Sequence, residues 1–300
     1  YFMPDRIKCD LNMQCSHCRG EAIIFQPYSG QHLCGHHLIV DVERKAKRTI
    51  RKNHWIRSGD RVLIGLDGCP ASNALLHFLI RTFGNRRDIT FTAVTIDDGT
   101  GRFRSFDRIE RLARSYGLPW ERRSYQDSLG DALAEIAGSD SDGSPCISCR
   151  AFRDRLLTHV AKEQGATRIA LGSTLEQEAE VMFGAVIEDD MSVLLPRTDI
   201  SIRPFSLVPE NEVVLYGCLH GVRIEQHACP NASRRPAARA GKILRAFASS
   251  HPSTHYALLN LKETLSSLCP NSESLTFHEE AGEGTGAGQN REVRGNRNAE

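Results

Sequence analysis

Long apolar runs are missing from this 300-residue chain, and no stretch approaches the roughly twenty residues that a membrane-spanning helix needs. The N-terminal segment lacks the basic-then-apolar pattern of a secretory signal. An excess of either charge is also missing: 38 Lys and Arg stand against 37 Asp and Glu, for a formal net charge of +1. That balance excludes a uniformly basic nucleic-acid coat but leaves room for a local basic patch, because steering depends on where charges sit. No internal repeat is found. The expectation is a soluble, cytoplasmic protein with no membrane partner and one main domain with appendages, since a chain of this length buries one large core or a core plus satellites.

What the chain does have is cysteine, ten in all and unevenly spread. In a reducing compartment, C-x-x-C pairs such as Cys15 with Cys18 and Cys146 with Cys149 are metal ligands or redox centres before they are structural disulfides. Residues 13 to 37 place C-x-x-C ahead of a short apolar run, a Tyr-Ser-Gly turn and then C-x-x-H. Two such corners can close on one tetrahedral zinc through Cys15, Cys18, Cys34 and His37, with His36 as the rival fourth ligand. Four protein ligands leave no open position, so the site is structural, and a finger this short needs its metal to fold. The bland alternative has His37 capping the next helix while the cysteines merely pack.

Residues 42 to 57, VERKAKRTIRKNHWIR, read as a helix on the spacing of Val42, Ala46 and Ile50. Arg44, Lys45, Lys47, Arg48, Arg51 and Lys52 crowd its other faces, which makes it a candidate nucleic-acid-binding element or simply a solvated basic helix. From residue 61 strands and helices alternate: RVLIGL, a helix over 72–84, ITFTAVTI, a helix over 105–116, WERRSY, and a helix over 129–137. Helices over 150–164 and 175–189 then flank RIALGS. Single helices between strands imply right-handed crossovers and a parallel sheet covered on both faces, with ligands at the C-terminal strand ends. A strand and a helix led by Pro209, with Glu210 and Glu212 near its positive end, follow residue 200. Two more helices lead to a tail with little to bury. The expected division is a zinc finger over 1–40, a basic linker helix over 41–60, an α/β domain over 61–230, C-terminal helices over 231–270 and a disordered tail over 271–300.

These residues together resemble one family, the archaeal and thermophile-type tRNA 2-thiolation enzymes (TtuA-like). The resemblance runs from about residue 13 to about 268. It rests on the finger with its PYSG turn, ERKAKRTIRKNHWIRSGDRV, IDDG, CISCRAFRDRLL, ALGSTLEQEAE, IRPFSLVPENEV and ACPNA. It implies an α/β, Rossmann-like sheet of the PP-loop type (adenine nucleotide alpha hydrolase-like), with an N-terminal zinc finger and a helical C-terminal part. It implies 2-thiouridine formation in tRNA: ATP adenylates a uridine oxygen, and sulfur then displaces the adenylate. The sulfur passes through a 4Fe-4S cluster, whose ligands and catalytic cysteines correspond to Cys146, Cys149 and Cys229. Three thiolates can hold a four-iron cube and leave one iron open. Thiolates alone do not separate iron from a second zinc or from a redox pair, so those readings stay open.

The resemblance breaks at the nucleotide. The family's S-G-G-K-D-S loop corresponds here to Asp67, Gly68, Cys69, Pro70, Ala71 and Ser72. Asp67 brings a like charge toward pyrophosphate, Cys69 removes a glycine, and Pro70 removes both a backbone donor and the lysine. The second signature, from Gly172 to Glu180, loses its histidine, asparagine and aspartates. Gly65, Asp67, Gly68, Ser72, Asp97 and Gly172 remain the residues that correspond to nucleotide contacts, and ATP with magnesium is the cofactor the altered loops argue against. Cys69 at a helix N-terminus is either a reactive thiol of lowered pKa or a small packing residue. Cys9, Cys218 and Cys269 read as packing or surface thiols, and with only Cys269 near the end no second finger is expected.

Three functions remain in play. The first is a tRNA 2-sulfurtransferase. The second is an ATP-incompetent paralogue that binds tRNA, carries sulfur or serves as a scaffold, and the third a redox regulator that binds nucleic acid without modifying it. The implied partners are tRNA, a sulfur-donor protein or sulfide, and a second subunit, as a homodimer or a heterodimer with an active paralogue.

Overall fold

Residues 13–97, 105–124, 145–187, 200–222 and 236–268 are described by the computed structural model, with backbone alone for 145–152 and 236–240. The helix expected over 129–137 and the tail over 271–300 lie outside them. A two-stranded antiparallel ladder comes first, β1 (Ile24–Gln26) against β2 (Gln31–Leu33), with Ile24 opposite Leu33. Its turn closes on Gly30 at φ +67, whose N–H reaches the Gln26 carbonyl at 2.8 Å. Helix α1 (Gly35–Lys52) follows and buries Leu38, Val42, Ala46, Thr49 and Ile50, a stripe at helical spacing. It starts inside the finger, earlier than the 42–57 expectation. It stops before Trp55, whose N–H turns back to the Ile50 carbonyl, while His54 adopts φ 50.

Five parallel strands form the main sheet: β3 (Arg61–Gly65), β4 (Thr90–Asp97), β5 (Trp120–Ser124), β6 (Arg168–Leu171) and β7 (Ser201–Ile202). Their order is β5-β4-β3-β6-β7. All neighbouring pairs run parallel, with Val62 beside both Phe91 and Arg168. The period of two sorts the strand residues between faces. Val62, Ile64, Ala93 and Ala170 join the larger core with α1, α2 (Pro70–Phe83), α3 (Phe106–Ser115) and α6 (Glu210–Leu219). Leu63, Val94, Ile96 and Ile169 meet Leu156, Leu157, Val160 and Ala161 of α4 (Pro145–Glu163) on the other face. Both faces are therefore covered, which is why β3 reads as a continuous apolar run.

The order reverses between β3 and β6, so the crevice at their C-terminal ends is the natural ligand position of such a sheet. The connections from these two strand ends lead into α2 and α5 (Leu175–Ile187). Helix α5 packs against α7 (Pro236–Ala248) and α8 (Thr254–Leu268), joined by an Arg245–Glu180 ion pair at 2.6 Å. Among the described residues no helix is long and apolar enough to cross a membrane.

Candidate metal centre and strand-end site

Cys15, Cys18, Cys34 and His37 bring one ligand atom each within 4.8 Å of one another. Zinc bonds of about 2.3 Å to sulfur and about 2.0 Å to nitrogen set tetrahedral ligands about 3.8 Å apart for two sulfurs and about 3.5 Å for sulfur and nitrogen. The protein gives 3.7 Å for Cys18 Sγ to Cys34 Sγ, and 3.4 and 3.3 Å from His37 Nδ1 to Cys15 Sγ and Cys34 Sγ. The residues present therefore fit a tetrahedral metal ion, with His37 and not His36 as the fourth member of the group. Local folding makes the cage: Cys34 is the N-cap of α1, which carries His37 in its first turn. Backbone N–H groups of His17 and Gly20 donate to Cys15 and Cys18 at 3.4 and 3.3 Å. Burial by itself would raise the Cys15 thiol, but hydrogen bonds from the backbone of Cys34, His17 and Cys18 hold it down at about 6, on the thiolate side that metal binding requires.

A buried polar clasp ties the finger to the α/β domain, and the sequence reading missed it. Glu212 of α6, with a side chain only 1% exposed, takes Lys45 Nζ at 2.8 Å, Tyr28 Oη at 2.5 Å and Gln26 Nε2 at 2.9 Å. Lys45 also reaches Asp41 at 2.7 Å, and Arg44 reaches Asp41 at 2.5 Å. Two carboxylates thus meet two cations, as burial of charge demands. Burial pushes the Glu212 carboxyl up in spite of the Lys45 ammonium. Burial would raise Asp41 as well, but hydrogen bonds from Lys45 and Gln26 hold it below its ordinary value. Glu212 had been placed as a helix-dipole partner; its near-complete burial is a tertiary fact that no local spacing announces.

The clasp also divides the basic helix. Lys45 is held inside, Lys47 pairs with Glu43 at 2.8 Å, and Lys52 pairs with Glu263 of α8 at 2.6 Å. Arg44, Arg48 and Arg51 are exposed, and a spacing of four and three residues aligns them along one face. The expectation of six equivalent tRNA contacts is thereby narrowed, because Lys45 faces its own protein.

At the strand ends, Asp67 Oδ1 accepts the Cys69 N–H at 3.0 Å, and Cys69 Sγ accepts the Ser72 N–H at 3.3 Å. The Ser72 hydroxyl donates to the Cys69 carbonyl at 3.1 Å, and Asn73 Nδ2 to the Gly68 carbonyl at 3.3 Å. Gly68 sits at φ +80, a conformation that favours glycine. Cys69 itself is relaxed at φ −69, as the N-cap of α2 with Pro70 at the first helical position. Burial and then the neighbouring Asp67 push its thiol well up, so Cys69 is a packed cap and not a reactive thiolate. Gly65 serves packing: a Cβ there would meet Leu171 at 2.9 Å.

The second strand-end segment meets the first. A Cβ on Gly172 would lie 2.5 Å from the Ser72 nitrogen, so the end of β6 rests directly on the first turn of α2. Thr174 N–H donates to Gln177 Oε1 at 3.3 Å and Leu175 N–H to the Val208 carbonyl at 3.0 Å, while Glu178 takes Ser173 Oγ at 2.5 Å and Arg203 at 3.2 Å. Asp97, at the end of β4, pairs with Arg122, which also lies 4.0 Å over the Phe106 ring. All six residues expected to contact nucleotide stand at or beside this edge, but Asp67 and Ser72 are bonded to Cys69, and Asp97 is paired with Arg122.

Cys146 and Cys149 belong to the first turn of α4, whose backbone is described and whose side chains there are not; Cys229 lies outside the described residues. Helix α4 has 19 residues, about 28 Å at ~1.5 Å each, whereas β6 with 4 residues spans about 13 Å. Helix α4 is thus about twice as long as the strand that follows it.

Residues 14–39 match a family model described as 2-thiouridine synthetase TtuA, N-terminal LIM domain. The chain is 29% identical over 297 residues to tRNA 2-thiolation protein NcsA of Haloferax volcanii, covering 91% of this chain and 90% of that one. It is 27% identical over 231 residues to the tRNA-5-methyluridine(54) 2-sulfurtransferase of Thermus thermophilus, covering 73% of this chain and 70% of the relative. Cytoplasmic tRNA 2-thiolation protein 1 of Mus musculus is 29% identical over 273 residues, covering 84% of this chain and 64% of the relative. Among solved structures, the U34-tRNA thiolase NcsA from Methanococcus maripaludis with its 4Fe-4S cluster superposes with a TM-score of 0.76 at 23% identity, over 85% of this chain and 88% of that one. At that identity the likeness speaks for the fold.

Proposed function

The chain belongs to the TtuA/NcsA family of tRNA 2-thiolation proteins, and from that premise we propose that it acts in the insertion of sulfur into tRNA to form 2-thiouridine. One observation carries the reading: similarity to a thiolation protein runs over 91% of the chain, and residues 14–39, which hold Cys15, Cys18, Cys34 and His37, match the N-terminal domain of a 2-thiouridine synthetase model. Cys146, Cys149 and Cys229 are the residues that would hold a 4Fe-4S cluster. Such a cluster, held by three thiolates, supplies an open iron at which sulfide can be carried. In this reading Cys15, Cys18, Cys34 and His37 hold a structural zinc, and the clasp around Glu212 fixes the finger so that Arg44, Arg48 and Arg51 present one cationic line to the phosphate backbone. The length of α4 supports the reading, since a helix that runs back along β6 and extends beyond it would carry the Cys146–Cys149 turn toward the strand edge where this fold binds its ligands.

Deletion of the gene, followed by mass spectrometry of tRNA nucleosides, tests the proposal. Loss of a 2-thiouridine species is expected, restored by the wild-type chain and not by Cys146→Ser. Unchanged thionucleosides would overturn it. A second reading, a paralogue that carries sulfur or tRNA without using ATP, is favoured by the inward-turned polar groups of residues 67–72.

A further inference from the structure

A strand–turn–helix unit holds a phosphate through backbone N–H groups that have no other acceptor, aided by the positive end of the helix. The turn between β3 and α2 has the right placement, at the C-terminal edge and next to the switch point. Two of its donors, however, are already used. The Cys69 N–H is held by Asp67 Oδ1 at 3.0 Å and the Ser72 N–H by Cys69 Sγ at 3.3 Å. Between them, Pro70 has no N–H at all. The Asn73 N–H belongs to the helix ladder, bonded to the Cys69 carbonyl at 3.1 Å.

Charge and space agree with the donors. Asp67 supplies the negative charge that a phosphate would bring, and residues 67 to 72 of the turn themselves contain no lysine or arginine. Two anions at contact in a partly enclosed site repel by several kcal/mol at an effective dielectric of about 20. Ser72 is 2% exposed, with the backbone of Gly172 lying against its nitrogen. Across the crevice, the Thr174 and Leu175 N–H groups are bonded to Gln177 and Val208, and Asp97 is paired with Arg122.

We infer that this turn is closed to the pyrophosphate of a nucleotide by its own side chains. The inference rests on the thiolation reading for its place in the reaction. Replacing the uridine O2 by sulfur requires that oxygen to become part of a leaving group. O2 attacks the α-phosphorus of ATP and pyrophosphate departs; sulfide then adds to C2, and the carbon–oxygen bond breaks with AMP carrying the oxygen away. Sulfur enters and stays at the sulfide level, so no oxidant or reductant is consumed. The first step needs a pyrophosphate cradle, and this turn does not supply one.

Calorimetric titration of the full chain, purified anaerobically with its metals, tests this with Mg·ATP and Mg·pyrophosphate as the probes. No saturable heat is expected up to about 1 mM of either. One-to-one binding of either with a Kd below about 1 mM overturns the inference. A variant combining Asp67→Ser, Cys69→Gly, Pro70→Lys and Ala71→Asp is expected to bind Mg·pyrophosphate at least about tenfold more tightly than the parent. No gain, with unchanged circular dichroism and metal content, would show that these side chains are not what closes the turn. If the variant does not fold, the titration of the parent still decides. Unchanged thionucleosides on deletion would sink the thiolation reading without touching the titration, whereas tight ATP binding would sink this inference and leave thiolation standing.

Discussion

Lys45 Nζ stands 2.8 Å from Glu212 Oε2, across 167 residues of sequence, with the carboxylate side chain 1% exposed. A lysine that looks like part of a basic nucleic-acid face is thereby an internal fastener between α1 and α6. Replacing it leaves a buried charge without its partner, which costs more than the pair contributes. Lys45→Ala is expected to destabilise the protein by about 3 kcal/mol in denaturant unfolding. Arg48→Ala, on the exposed face, is expected to leave stability within about 0.5 kcal/mol and to lower the salt slope of tRNA binding by about 1. Equal stability losses for the two would contradict the division of the helix.

The metal cage is predicted to be a folding element. Cys34 is both a ligand and the N-cap of α1, so Cys34→Ser should abolish stoichiometric zinc and unfold the start of the helix together with the β1–β2 ladder. Amide exchange checks this: protection from residue 15 to about residue 40 should be lost, and protection in β3 and β4 retained.

Cys69 is predicted to be inert. Burial and Asp67 push its thiol up, and thiolate is the reacting form. In the folded protein at pH 8, alkylation followed by peptide mapping should modify the exposed Cys218 and spare Cys69. Comparable modification of the two would contradict the packed-cap reading.

Glu176 gives the fold a pH dependence. Burial raises its carboxyl to about 7, against an ordinary value of 4.5, although it accepts the Glu210 N–H at 2.7 Å. The folded state therefore binds the proton more tightly than the unfolded state, and this contribution to stability is full below about pH 4.5 and is lost as pH rises through about 7. Glu176→Gln should be more stable than the parent at pH 8, by on the order of 2 kcal/mol. The difference should shrink toward zero by about pH 5. A difference independent of pH would refute the assignment.

The period-two runs and their intervening helices made the parallel sheet legible in the sequence, because strands buried on both faces leave near-continuous apolar segments such as Val62 to Leu66. The Cys15, Cys18, Cys34 and His37 group was legible because metal ligation constrains spacing directly. Helix α1 was placed too late, since Gly35, His36 and His37 carry no helical stripe and are held by the metal corner and the packing of Leu38. The clasp was not legible at all: Gln26, Asp41, Lys45 and Glu212 each look like surface residues, and only the approach of α6 to α1 makes them a buried set. The altered turn was visible as a set of departures. That Asp67 and Cys69 satisfy the Cys69 and Ser72 N–H groups, without strain at Cys69, is a property of the folded backbone.

Elemental analysis of the full chain purified without oxygen tests the central claim, a zinc-braced protein that carries sulfur on an iron–sulfur cluster, most directly. The account predicts about four iron and one zinc per chain, with the iron lost in Cys146→Ser and the zinc retained. Zinc at both cysteine sites, or no iron in the parent chain, would contradict it.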